Sequence, residues 1–486
     1  MQTSISKHHA VLPGVRGFMD RMSPLDASFL HIENDVNHMH IASVAIFEGP
    51  PPPYEDIVHM ITSKLHKVPR YRQRVHFVPL AAGRPMWVDD PHFNIGYHIR
   101  HTALPPPGGH DELRNLVGRV MAQQLDRHKP LWEIWIAEGL EGGRWAMLSK
   151  THHCMVDGVS GTDLLAVVMD SSPTPKREEP QPWTPEDQPT GTDLVRNALF
   201  ERSVSPREQL RTVRAGLRTP RRIGKRMRDV AMGLTTFSSF VGKDVESSLN
   251  GPIGPHRRWT WAETTLDKIK QIRALHGGTV NDVVLSAITK GFRDLLISRG
   301  EPVDNSVVRT LVPVSVRTEG ERGTYNNRVS AMFAELPVGL VDPVARLASI
   351  GEQMKGLKEH KQAVAAEALT SLQGFTPPLL LALGGRLFAR APQRSVQTVT
   401  TNVPGPQRPM YAAGRRMVAA YPYVPLAGWV RIGIAIFSYA GQLNFGITGD
   451  WETTSDIEVL ADGIEEGIGE LLDRSRRAAA AAAPAQ

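Results

Sequence analysis

The chain has 486 residues, 41% hydrophobic and 22% charged, an ordinary globular composition with material for two or three domain-sized cores. Its 56 Lys and Arg against 50 Asp and Glu leave a net charge of +6, which suits anionic headgroups, phosphate-bearing small molecules or nucleic acid. The one cysteine, Cys154, excludes an intrachain disulfide and suits a reducing cytoplasm. No zinc-ligand spacing or nucleic-acid-binding signature occurs, so a metal and nucleic acid both drop out. Residues 1–30 lack a basic start followed by an apolar core, and no apolar run reaches the roughly 18 residues of a spanning helix. Neither a signal peptide nor a transmembrane helix is expected.

In chain order, residues 39–47 alternate as a strand, which prolines 50–53 end. Ile57, Met60, Ile61, Leu65 and Val68 recur at helical spacing. Residues 71–78 and 95–103 read as short strands; Leu113, Leu116, Val117, Val120, Met121 and Leu125 make one helical face. Residues 131–137 and 145–149 read as paired strands joined by the turn at Glu141-Gly142-Gly143. Alternating strands and helices mark an α/β layered domain. Residues 171–190, rich in Pro, Thr and acidic side chains, read as a solvated linker. The strongly basic stretch 202–228 is either a solvated helical connector or a surface segment that touches anionic membrane.

A second half opens after Pro252 and Pro255. Residues 264–276 and 280–296 read as helices, 307–316 as a buried strand ending at Arg317, 329–336 as a strand and 344–372 as a long helix. The leucine-rich stretch 377–388 is too short to cross a bilayer and is either a buried or an interfacial helix. Residues 396–402, 430–438 and 443–448 close a sheet, 457–472 form a last helix, and the Ala-rich tail after Arg477 is expected to be disordered.

The chemistry centres on Thr151-His152-His153-Cys154-Met155-Val156-Asp157-Gly158, between a strand and a helix. Adjacent histidines on a strand diverge, so only one serves a given pocket. Gly158 suits an abrupt turn, and Ser160 with Asp163 resembles a capping box for the next helix. This HHxxxDG pattern resembles the active-site motif of acyl-CoA-dependent acyltransferases. The closest resemblance is to the bacterial wax ester synthase/diacylglycerol acyltransferase family. Met22-Ser23-Pro24-Leu25-Asp26-Ala27-Ser28-Phe29 is similar to its N-terminal signature and Pro130-Leu131-Trp132 to its PLW element. Asn281-Asp282 is similar to its ND motif, and Thr401-Asn402-Val403-Pro404-Gly405-Pro406 to its NVPGP element. Peptide-synthetase condensation domains share HHxxxDG, which keeps an alternative open, a condensation-type enzyme using carrier-bound acyl thioesters.

The resemblance implies two chloramphenicol-acetyltransferase-like α/β halves, each a mixed sheet flanked by helices, with the active-site tunnel between them. Residues 1–190 would be the half carrying HHxxxDG, 191–255 a basic crossover linker, and 256–486 the half carrying ND and NVPGP. It also implies transfer of a long-chain acyl group from acyl-CoA to diacylglycerol or a long-chain alcohol, without a cofactor. The protein would sit in the cytoplasm, peripherally attached to the membrane or lipid droplets.

Moving an acyl group from a thioester to a hydroxyl requires a base for the hydroxyl, support for the oxyanion and a proton for the thiolate. A histidine serves as base and then acid, hence His153. His152 is either a support for His153 or a direct participant. Asp157 is either a triad carboxylate or, as in the wider superfamily, turned away to pair with a distant arginine, for which Arg317 is the candidate. Cys154 occupies a variable slot of the motif and is not expected to be a nucleophile. Trp132 is either core or substrate wall. Asn281 is a candidate for the tunnel side, although Thr279 and Asp282 also resemble a helix cap around it. Asn402, or a backbone N–H of its turn, is the candidate for oxyanion support.

Overall fold

A computed structural model describes residues 20–79, 83–155, 167–174, 177–194, 247–315, 329–359 and 394–482. The first part of the chain forms β1 (Asp20–Arg21), α1 (Pro24–Ile32), β2 (His40–Phe47), α2 (Tyr54–Lys64), β3 (Gln73–His76) and β4 (Met86–Asp89). A one-turn helix, α3 (Ile95–His98), then runs into β5 (Ile99–Ala103), followed by α4 (His110–Met121) and the hairpin β6 (Trp132–Leu140) and β7 (Arg144–His152). The second part supplies β8 (Arg257–Thr265), α5 (Leu266–His276), α6 (Val280–Ser298), β9 (Val308–Ser315), β10 (Val329–Leu336) and α7 (Pro343–Glu359). It ends with β11 (Thr398–Pro404), β12 (Tyr411–Ala412), β13 (Arg415–Tyr423), β14 (Ile432–Tyr439), β15 (Gln442–Asp450) and α8 (Ile457–Ala482).

Among the described residues, two six-stranded mixed sheets carry the fold, ordered β12-β13-β2-β7-β6-β5 and β10-β9-β11-β14-β15-β8, beside a small sheet β1-β4-β3. Among the described strands of the first sheet, β5 and β6 pair in parallel and the other neighbours antiparallel. In the second, β11 runs parallel to both β9 and β14. The hairpin forms where strand alternation meets a glycine turn: Gly142 and Gly143 take φ of 74° and 68°, angles that favour residues without a Cβ. Strands β12 and β13 come from the second part of the chain but complete the first sheet, with Tyr421 opposite Val44 on β2. Two further bonds tie β13 to the second sheet. Asn444 Nδ2 donates to Ala420 O at 2.9 Å, and Trp259 Nε1 donates to Pro422 O at 3.2 Å.

The apolar cores follow these layers. One gathers α5, α6 and α8 under the second sheet, around Val284, Phe292, Ile434 and Leu460. Another lies under the first sheet, where Phe437 and Tyr439 of β14 join Trp132 and Trp145. A third packs α4 with β7, β8 and β13.

Several elements differ from the sequence reading. Residues 257–263, given no assignment from sequence, form strand β8 together with 264 and 265, and the helix expected from 264 starts at Leu266, capped by Thr265. Strands β12 and β13 were not anticipated. The alanine tail continues α8 to Ala482 instead of being disordered, as the high helix propensity of alanine favours. The stretches 202–228 and 377–388 lie outside the described residues. Among the described residues, no helix is long and apolar enough to cross a membrane.

Candidate active site

Strand β7 ends at His152, and a single 3₁₀ turn, His153–Met155, follows. The strand fixes where each histidine goes. His152 N–H donates to Leu131 O at 2.9 Å, and its register partner on β2 is His40. His153 N–H turns to the other neighbour and donates to Met39 O at 2.8 Å. The two side chains differ in burial: His152, the last residue of the strand, is fully buried, whereas His153, the first of the turn, is only partly so.

The His153 ring stacks on Phe29 with centroids 4.1 Å apart and planes 25° from parallel. Phe29 belongs to α1, which Ser23 caps by accepting from Asp26 N–H at 3.1 Å, with Pro24 in its first turn. The N-terminal signature thus presents an aromatic face to the histidine motif. Burial pushes His153 down to about 4, so the ring is neutral near pH 7, the form a general base requires.

His152 serves the turn. Its Nδ1 accepts the N–H of Cys154 at 3.1 Å. Its Nε2 lies 3.5 Å from Oε2 of Glu33, a buried carboxylate that Arg127 grips with Nε and Nη2 at 3.1 and 2.7 Å. The sequence reading did not single out Glu33, His40 or Arg127; it included Phe29 in the N-terminal signature without giving it a role. Nothing local marks those three, because their meaning arises only once β2 lies beside β7. Cys154 is buried, and burial pushes its thiol well above the usual range, the opposite of an activated nucleophile.

The remaining candidates fall into different surroundings. Trp132 is fully buried, stacks on His98 at 4.5 Å and donates from Nε1 to Tyr71 O at 2.8 Å. Its ring is committed to the core, which favours packing over the substrate-wall alternative. Asn281 is half-buried in the first turn of α6, between the members of a capping box: Asp282 N–H donates to Thr279 Oγ1 at 3.3 Å, and Thr279 N–H to Asp282 Oδ2 at 2.7 Å. Asn402 is half-buried on β11, opposite Ile436. No direct contact of Asn281 or Asn402 with His153 appears among the described residues. Asp157, Gly158 and Arg317 lie outside them. No cluster of His, Cys, Asp or Glu fit to hold a metal occurs among the described residues.

Two mixed sheets with a paired-histidine turn at the end of an inner strand fit the fold that the HHxxxDG resemblance implies. Residues 22–284 match the wax ester synthase/diacylglycerol acyltransferase catalytic domain, and residues 325–472 match the WS/DGAT C-terminal domain. A Mycobacterium tuberculosis (strain H37Rv) protein named "Probable diacyglycerol O-acyltransferase tgs1" is 38% identical over 94% of this chain and 97% of its own length. The structure of a wax ester synthase/diacylglycerol acyltransferase from Marinobacter aquaeolei VT8 superposes with a TM-score of 0.65 at 23% identity, covering 94% of this chain and 100% of that one. The first condensation domain of the calcium-dependent antibiotic synthetase shares the fold, with a TM-score of 0.58 at 15% identity over 94% and 96% of the two chains. The chain belongs to the wax ester synthase/diacylglycerol acyltransferase family and is an acyl-CoA-dependent acyltransferase.

Proposed function

We propose that this protein transfers a long-chain acyl group from acyl-CoA to the free hydroxyl of diacylglycerol, with His153 as the general base. The observation that supports this most is the setting of His153: neutral, partly exposed, anchored through its backbone to Met39 and through its ring to Phe29. The imidazole takes the hydroxyl proton as the oxygen bonds to the thioester carbon. The tetrahedral oxyanion collapses, the carbon–sulfur bond breaks, and the imidazolium returns the proton to the coenzyme A thiolate. Atoms and charge balance without a cofactor or a covalent enzyme intermediate. Asn402, or a backbone N–H of its turn, remains the candidate for oxyanion support, and Asn281 for the substrate side of the second half.

The relative named for diacylglycerol supports that acceptor, and long-chain alcohols are the second acceptor class because their hydroxyl requires the same base. The division into halves at 1–190 and 256–486, joined by 191–255 and enclosing a tunnel, belongs to the same reading. A panel of diacylglycerol, long-chain alcohol and monoacylglycerol with one labelled long-chain acyl-CoA tests it. Triacylglycerol should dominate, and His153→Ala should lower turnover by about 10²–10⁴-fold while the protein stays folded. A folded His153→Ala protein at wild-type rate would remove His153 from the chemistry.

We also propose peripheral attachment to anionic membrane or droplet surfaces, motivated by the basic stretch 202–228 and the apolar stretch 377–388. High salt should release bound protein from anionic vesicles, because it screens surface attraction. Release by detergent alone would count against it.

A further inference from the structure

Glu33 follows α1 directly, and its N–H donates back to Phe29 O at 3.1 Å. Its side chain is buried, and its two oxygens face different neighbours. Oε1 accepts from Met39 N–H at 3.3 Å and lies 3.1 Å from His40 Nε2. Oε2 accepts from Arg127 and lies 3.5 Å from His152 Nε2. Two of these neighbours lead on to the backbone around His153. Met39, held at its N–H, accepts the His153 N–H on its carbonyl. His152, facing Glu33 with Nε2, accepts the Cys154 N–H on Nδ1. The peptide units on both sides of His153 therefore trace to one carboxylate.

We propose that Glu33 is a positioning residue for His153, acting through Met39 and through the Nε2–H tautomer of His152; the inference rests on His153 being the general base. The tautomer follows from the bond to Cys154. A ring nitrogen that accepts a hydrogen bond carries no proton, so neutral His152 bears its proton on Nε2. A carboxylate oxygen beside Nε2 favours that form. The other tautomer would set Nδ1–H against the Cys154 N–H, donor to donor, and push the 3₁₀ turn away from β7. Burial opposes an ionised Glu33, but the contacts with His152 and His40 outweigh it and hold the carboxyl well below the usual carboxylate range. Arg127 supplies a counter-charge across Oε2. Through its backbone bond to Phe29 and the stack of Phe29 on His153, the same residue also joins the N-terminal signature to the motif turn.

Glu33→Gln tests this. Glutamine keeps the shape but replaces one acceptor oxygen with a donor, and donors wait on both sides, Met39 N–H on one and Arg127 on the other. The kcat should fall on the order of 10²-fold from misplacement of the base, with KM for acyl-CoA unchanged. In [15N]histidine-labelled protein, the His152 ring signals, identified by their loss in His152→Asn, should move away from the pure Nε2–H pattern. A wild-type kcat or an unchanged His152 spectrum in folded Glu33→Gln protein overturns the proposal. If Glu33→Gln does not fold, Glu33→Asp keeps the charge while withdrawing the oxygens, and the same two readouts decide in the same way. Failure of the base assignment is a separate result: a folded His153→Ala protein at wild-type rate refutes it whatever the His152 spectrum shows.

Discussion

His40 and His98 are fully buried, and that has a consequence for stability. Burial pushes His40 down to about 3 and His98 down to about 4, the latter while its Nδ1 donates to Trp132 O at 2.8 Å. In the unfolded chain both return to the ordinary value near 6.5. Above that value both are neutral in either state, and they contribute nothing to the pH dependence. As pH falls below 6.5 the unfolded chain takes up protons that the folded chain refuses, so stability declines toward the folded values. Each contributes up to about 1.4 kcal/mol per pH unit in that window. Urea midpoints should therefore drop between pH 7 and pH 5, and His98→Asn should flatten the slope. A midpoint independent of pH over this range would mean that both rings accept protons in the folded state. At this scale the sequence was informative only where residue types were unusual in themselves. Paired histidines before an Asp-Gly step stand out; Glu33 and His40 do not, because their meaning arises when β2 lies beside β7 and sets His40 opposite His152.

At the scale of elements, legibility tracked how local the stabilising contacts are. The β6–β7 hairpin and its turn were legible, since alternation and a two-glycine turn are both local signals, although each strand runs three residues past the end read from sequence, to Leu140 and His152. The capping box of α6 was legible for the same reason: Thr279 and Asp282 are three residues apart. Residues 95–103, read as one strand, instead split into the turn of helix α3, capped by Asn94, and then β5. The strands that escaped were those whose partners are distant in sequence. Strand β13 opens on two Arg and carries two Ala and Pro422, which dilute the strand signal of its Val and Tyr; it is held by β2, from the far end of the chain, with Met417 opposite Phe47. Strand β8 likewise owes its place to β15, with Trp261 opposite Gly446. The alanine tail failed in the other direction, because a terminal position suggested disorder where intrinsic helix propensity prevailed.

For the whole molecule, the crossing of β13 means that the two sheets are not independent bodies. It is hydrogen-bonded into the first sheet through β2 and touches the second through Asn444 and Trp259. The tightest approach is at Gly446 on β15, where an added Cβ would lie 1.6 Å from Pro422 O and 2.7 Å from its carbonyl carbon. That neighbour is backbone, so relief requires moving β13, and β13 cannot move without disturbing β2, whose next partner is the strand that carries His152. Gly446→Ala should therefore cost at least the roughly 1–3 kcal/mol typical of an overpacked core. It should lower acyl transfer as well, although no atom of Gly446 belongs to the site. Gly469→Ala is the control: its added methyl meets nothing within 4 Å, and alanine in a helix gains about 0.5–1 kcal/mol over glycine. Denaturation followed by calorimetry and by tryptophan fluorescence should give one coincident transition in the wild type, shifted down in Gly446→Ala and unchanged or raised in Gly469→Ala. If the wild type unfolds in two separate steps, with Gly446→Ala lowering only one, the halves are thermodynamically separate, and the exchanged strand does not couple the second sheet to the histidine turn.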